Sequence, residues 1–363
     1  MATALAIGGL AIPGAAAAED EALPPAEQAT ETGPGSGETV SPVVSIASGM
    51  PNGLYFPVAG SVAQILDASG SFDGTTFAAE STTGSWENVV RVNAGEFDFG
   101  IARSDRVFEA VMGIGPFADS GPLGDLRLLM ALHDEPLTII ARNDFAADDF
   151  SDLGDARINL GPDEHNAMRV AMTAALEAAG MIPEAGQEGD DAGADGEEAG
   201  PTLLSLPLGT QHEALCAGEV DVIAYIAGHP TGTVHEAVTA CEARIIGIGP
   251  EIVETVLSAH PYYKASSIPS GYYRDTAVSG AEDVAADEPA VPTFGPVALM
   301  VSHAGVDDAM AESVTAVIVE GIEALRNVHP ALANLSITEI LGSEFSAPLH
   351  DGALEFFRER GIQ

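Results

Sequence analysis

Five short stretches of this chain gather hydroxyl, amide and glycine residues where an anion could be held. They are Ser48 to Tyr55, Ser81 to Asn88, Arg103-Ser104-Asp105, Gly161 to Asn166 and Gly228-His229-Pro230. The first four each follow a strand-like run and open a helix-like one; the fifth is a strand exit. Such strand-to-helix junctions aim free backbone N–H groups and the positive end of a helix dipole at one place, which favours negative charge. Arg103 adds a planar fork of donors able to grip a carboxylate with two parallel hydrogen bonds. An outward turn, onto a surface acid, is the other reading of Arg103, and spacing alone leaves both open. The chemistry on offer is binding. Catalysis by a nucleophile needs an oriented base beside it, yet no histidine neighbours Ser104-Asp105 and no Gly-x-Ser-x-Gly turn occurs. The histidines lack zinc-site spacing, so neither an enzyme, a metal nor a cofactor is expected.

The elements that must position these loops follow from hydrophobic periodicity. Val43 to Ala47 reads as a strand, Leu54 to Ala68 as a helix, Thr76 to Ser81 as a strand and Ser85 to Ala94 as a helix. A third strand, Phe97 to Ala102, leads into a helix over Asp105 to Met112. Further strands are predicted at Leu126 to Leu132, Leu137 to Ala141, Ile158 to Leu160, Val220 to Ala227 and Val297 to Val301, with helices over His165 to Ala179 and from about Asp307 to Arg326. Strands alternating with helices imply an α/β protein with mainly parallel sheets. At 363 residues the chain exceeds what one core usually holds, so two halves are expected.

Charge excludes one class of partner. The chain carries 55 acids against 13 bases, a formal net charge of −42, and Lys264 is its only lysine. Nucleic acid is a poor match, because binding it requires cations that neutralise phosphates. Solubility in a salty medium, where screening shortens repulsion, accounts for the acidity. Met1 to Ala18 holds an apolar run closed by small residues, which reads as a signal peptide remnant and predicts an exported protein. Glu19 to Ser41 reads as a disordered linker, and Glu184 to Gly200, with seven acids and no base, as a disordered acidic insertion. Cys216 and Cys241 suit one disulfide in an oxidising compartment, two buried thiols being the alternative.

Taken in order, the loops resemble a known family. SGMPNGLYFPVAG, STTGSWENV, AGEFDFGIARSD, LCAGEVDVIAYIAGHPTGTVHEA, PYYKASSIPSGYY and HPALANL with SAPLHDGAL are similar to segments of the TAXI solute receptors, the substrate-binding subunits of TRAP transporters, over Val43 to Ile362. The resemblance implies a type II periplasmic-binding-protein fold: two α/β lobes joined by crossover strands, closing over a solute. Glutamate, 2-oxoglutarate or a related small dicarboxylate would be that solute, a membrane permease the partner, and the protein a monomer. A sensory receptor serving a signalling partner would use the same fold and pocket. Lobe 1 would hold residues 42–137 and 303–363, and lobe 2 residues 138–302. Carried over by position, the pocket would comprise Ser48, Gly49, Gly53, Tyr55, Ser81, Gly84, Ser85, Asn88, Ser104, Asp105, Gly228, His229 and Pro230. Two departures stand out. Arg103 takes the place of a usual glutamine, and Asp163-Glu164 interrupts a Gly-Ser-rich run. Glu164 either caps a helix or faces the cleft, where it would hold a ligand ammonium group.

Overall fold

The computed structural model describes residues 42–162, 165–184, 200–273, 289–341 and 346–362. The expected signal segment, the linker, most of the acidic insertion and Glu164 lie outside these residues.

Two five-stranded sheets organise the chain. The first contains β1 (Val43–Ala47), β2 (Thr76–Glu80), β3 (Phe99–Arg103), β4 (Leu126–Asp134) and β12 (Val297–His303), in the order β2-β1-β3-β12-β4. The second contains β5 (Leu137–Ala141), β6 (Arg157–Asn159), β7 (Thr202–Leu204), β8 (Val222–Ile226) and β9 (Arg244–Ile246), in the order β7-β6-β8-β5-β9. A separate antiparallel pair, β10 (Lys264–Ile268) and β11 (Val291–Gly295), leads back to the first sheet. In each sheet four of the five strands run the same way, as the alternation of strands and helices predicts, and one runs against them. β12 runs antiparallel to both β3 and β4, and β5 antiparallel to both β8 and β9. The reason is topological: β12 enters the first sheet from the other half and so runs against strands that began there. Val297–Ser302, expected in the second half, therefore belongs to the first sheet.

Helices cover both faces of each sheet. Helix α1 (Tyr55–Ala68) buries Val58, Ala59, Val62, Ala63 and Leu66, a one-sided apolar stripe at helical spacing. That stripe meets Ile46, Phe99, Met300 and Phe356 in one core; Val89, Val107, Leu128 and Val301 form another on the opposite face of the sheet. Each fully buried side chain of this kind contributes roughly 1.5–3 kcal/mol relative to exposure. Helices α2 (Ser85–Asn93) and α3 (Ser104–Met112) start at the loops of interest. In the second half lie α4 (Ala167–Ala178), α5 (Gln211–Cys216), α6 (Gly232–Ala240) and α7 (Pro250–Ala259). The single helix expected to Arg326 is broken into α8 (Asp308–Glu320) and α9 (Ile322–Arg326) at Gly321, where a Cβ would lie 2.7 Å from the Ile65 side chain of α1. Two further helices, α10 (Ile337–Ile340) and α11 (Asp351–Glu359), complete the first half. Cys216 and Cys241 are joined in a disulfide that ties the end of α5 to the residue after α6.

Two short segments connect the halves. β4 passes into β5 through Glu135-Pro136, and β11 into β12 through Pro296. They lie side by side: the Glu135 N–H donates to the Pro296 carbonyl (2.9 Å), and Thr293 Oγ1 donates to the Leu137 carbonyl (2.6 Å). A Cβ on Gly295 would fall 2.4 Å from the Glu135 carbonyl oxygen, so only glycine permits this approach.

Candidate functional site

Several predicted pocket residues turn out to build the scaffold of their loops. Ser48, at the end of β1, is fully buried and donates its hydroxyl to the Glu80 carbonyl (2.7 Å). Asn88 donates to the carbonyls of Ser48 (2.6 Å) and Ile101 (2.7 Å), tying the ends of β1 and β3 together. Ser81 donates to the Gly49 carbonyl (3.1 Å), and the Gly53 N–H closes a turn onto Met50 (2.9 Å). Gly49 lets the Tyr55 side chain pack against it, since a Cβ there would sit 3.3 Å from that of Tyr55. Gly84 precedes α2 with φ of 112°, a conformation that favours glycine. Ser104 donates to the Tyr262 carbonyl (2.7 Å) and accepts from the Val297 N–H (2.9 Å), pinning α3 to the second crossing and to the other half.

The remaining polar residues form one cluster. Tyr55, in the first turn of α1, donates its hydroxyl to Glu135 Oε2 (3.2 Å). Arg103, at the end of β3, accepts anchoring through its backbone: its N–H donates to Ser85 Oγ (3.1 Å). Its side chain turns inward, with Nε donating to Asp105 Oδ1 (3.1 Å) and 22 % of its surface exposed. Asp105 also accepts from the Arg106 N–H (2.8 Å). Among the described residues, Nη1 and Nη2 of Arg103 make no hydrogen bond. The side chain thus turns onto a buried acid, not onto a surface one.

Burial controls the charge states here. It pushes the Glu135 carboxyl up to about 7, against the pull of Arg103 and the Tyr55 hydrogen bond, with Asp105 pushing the same way. Burial likewise raises Glu109 to about 7, with Arg106 opposing. Tyr55 is held well above its ordinary value by burial and by Glu135, so its hydroxyl stays a donor. Burial acts against the Arg103 charge, but Asp105, Tyr55 and Glu135 together outweigh it and the guanidinium remains a cation. The halves meet around this cluster. Arg106 Nη2 donates to the His165 carbonyl (2.9 Å), and the Phe108 and Tyr262 rings pack at a tilt with centroids 5.0 Å apart. Nearby, the buried Tyr263 hydroxyl has no hydrogen-bond partner among the described residues. Tyr262 thus stands at the seam between the halves.

Gly228-His229-Pro230 is arranged differently. The His229–Pro230 peptide bond is cis. One ring nitrogen of His229 contacts Thr138 Oγ1 (2.8 Å) and the other the Tyr273 hydroxyl, which also accepts from the Thr231 N–H (2.9 Å). Burial, with His329 adding to it, pulls His229 down to about 4, so the ring is neutral. Gly228 marks a close approach between the halves: a Cβ there would lie 2.8 Å from the Leu54 side chain and 3.2 Å from Ala331. At the fourth loop, Asn166 caps α4 by accepting from the Met168 N–H (3.0 Å).

Residues 46–361 match the NMT1-like family. The chain belongs to that family. Among solved structures it resembles a TctC solute-binding protein from Polaromonas, at 11% identity and a TM-score of 0.52 over 89% of this chain and 99% of that one. It also resembles MatC from Rhodopseudomonas palustris, solved with bound malate, at 12% identity and a TM-score of 0.51 over 88% and 98% of the two chains. At such identities the likeness is one of fold: the α/β, two-lobed periplasmic-binding-protein architecture.

Two features of this NMT1-like chain escape the sequence reading. Glu135 lies in the crossing itself, an acid between two apolar strands in LHDEPLTII. On the opposite face of the same crossing is a cavity of about 440 Å³, lined by residues that include Asp134, Pro136, Lys264, Val297 and Asn334. Successive residues of an extended strand point to opposite faces. Glu135 accordingly meets Tyr55, whereas Asp134 pairs with Lys264 (3.1 Å) and accepts from Ser266 (3.0 Å). Of the predicted pocket residues, His229 alone among the described ones reaches this cavity. Trp86 lines neither region's interior; it is 55 % exposed beside Ser85.

Proposed function

We propose that this protein is an exported, monomeric solute receptor. It captures a small carboxylate of the glutamate, 2-oxoglutarate or related dicarboxylate class, closes its halves over it, and delivers it to a TRAP-type membrane permease. The observation that carries this reading is the Arg103 guanidinium. It sits at the seam between the halves, oriented by Asp105, with the Arg103 backbone anchored on Ser85 and both terminal nitrogens free among the described residues. A planar fork with two free donors suits a carboxylate's two oxygens. Tyr55, Ser85 and Asp105 complete the contact set, and Glu135 joins it. Ser48, Gly49, Gly53, Ser81, Gly84, Asn88, Ser104, Gly228, His229 and Pro230 shape the walls.

The fold supports capture by closure. Two adjacent crossings make a natural hinge, and a solute touching both halves favours the closed population by its differential contacts. MatC, of similar fold, holds malate, a solute of this chemical class. The Cys216–Cys241 disulfide fits an oxidising compartment outside the cytoplasm. Calorimetric titration in high salt with glutamate, 2-oxoglutarate, succinate and neutral amino acids tests the reading, with Trp86 fluorescence as a reporter of loop movement. One-to-one binding of a carboxylate that Arg103→Gln weakens is the expected result. Binding that is indifferent to Arg103, or confined to uncharged solutes, would refute the role given to this residue.

A further inference from the structure

A carboxylate that docks on Arg103 enters a cluster already richer in acids than in bases. Arg103 is bonded to Asp105 at 3.1 Å, and Glu135 lies beside both. The titratable and charged groups acting on the Glu135 carboxyl are Arg103 from β3, Tyr55 from α1 and Asp105 from α3. Its neighbours in the crossing are engaged elsewhere: Asp134 with Lys264 and Ser266, and His133 Nδ1 with the Asp134 carbonyl. The second crossing offers it only the Pro296 carbonyl, which receives the Glu135 backbone N–H. One cation thus serves two carboxylates before any solute arrives. Burial leaves Glu135 7 % exposed, so water does little to relieve a third negative charge.

Balance can be restored by a proton on one of the acids. Asp105 is fixed as an acceptor for two N–H groups, Arg103 Nε and the Arg106 backbone. Glu135 has a single side-chain partner among the described residues, the Tyr55 hydroxyl on Oε2. Its carboxyl can take a proton without breaking that bond, because a neutral carboxyl still accepts at one oxygen and donates from the other. We propose that Glu135 sets the charge the site accepts: a solute carboxylate binds at Arg103 together with one proton drawn from solvent, carried on Glu135. This inference rests on the reading of Arg103 as the carboxylate anchor. Burial already brings Glu135 to about 7, so the proton is available near neutral pH, and a solute carboxylate beside it raises its proton affinity further.

The test is titration of the full protein with succinate and with glutamate at pH above 7, in buffers of different ionisation heat. The expected result is uptake of about one proton per bound solute, and an affinity that falls by up to about tenfold per pH unit above the Glu135 range. Glu135→Gln, a permanent mimic of the protonated acid, should abolish the uptake and bind more tightly than wild type at high pH by that same order. Glu109→Gln separates the second raised acid, and should leave the uptake in place. Binding by wild type without proton uptake, or uptake that persists in Glu135→Gln, overturns the inference alone. Failure of every carboxylate to bind wild type overturns the anchor reading, and this inference with it.

Discussion

The Arg103 cluster and the His229 corner both come from loops with similar residue types, yet their polar groups are satisfied to different degrees. At His229 both ring nitrogens are engaged, one with Thr138 and the other with Tyr273, which is engaged in turn. Around Arg103, two guanidinium nitrogens and the Tyr263 hydroxyl lack partners among the described residues. A closed network fixes shape, whereas an open one can exchange its missing bonds with a solute. Residue type nominates a loop for binding; unfilled hydrogen-bonding capacity decides between nominees.

The largest expected effect strikes the crossing that supports both regions. Gly295→Val forces a side chain against the Glu135 carbonyl and should lower stability by about 3 kcal/mol, read as a fall in thermal midpoint. Next comes Arg103→Gln, expected to weaken carboxylate binding by about 30-fold, roughly 2 kcal/mol, in calorimetry. His229→Ala should instead cost about 1.5 kcal/mol of stability and change affinity by less than about threefold, because its bonds hold backbone and Tyr273. An affinity loss as large as that of Arg103→Gln would break the distinction between the two regions.

The sharpest contrast lies in pH. His229 is held at about 4 when folded, against an ordinary 6.5. The unfolded chain therefore gains protons first, and this contribution to stability is lost as pH falls from about 6.5 towards 4. Glu135 runs the other way. Folded, it holds its proton up to about 7, against an ordinary 4.5, so its contribution is complete below 4.5 and lost as pH rises through 7. In denaturant titrations between pH 7 and 4.5, Glu135→Gln should steepen the loss of stability on acidification, and His229→Ala should make it shallower, each by roughly 2 kcal/mol.

Most of the framework was legible because its periodicity is strong: α1, α4, β4 and β5 lie within a few residues of where spacing predicts them. The short strands β7 and β9, of three residues each, and the half-exposed pair β10–β11 show no such pattern and were missed. The antiparallel course of β12 was invisible because it depends on where the chain returns from. At the site, the Arg103 loop could be recognised locally, since Asp105 and Ser104 adjoin it. Glu135 could not. In a chain with 55 acids one further glutamate carries no signal, and only the crossing brings it beside Tyr55 and Arg103.

The side-by-side crossings also bear on how the chain is made. Residues 137–295 supply every strand of the second sheet and the β10–β11 pair, and leave and re-enter the first sheet at one point. That segment is complete as soon as Gly295 has been synthesised. The first sheet, begun earlier, still lacks β12 between β3 and β4, together with α8 and α11. The half that starts second is therefore free to fold first, and the half bearing Arg103 must wait for the last stretch of chain. Until then its apolar strands remain exposed along the gap that β12 will fill, making a stalled or truncated product the species most prone to aggregate.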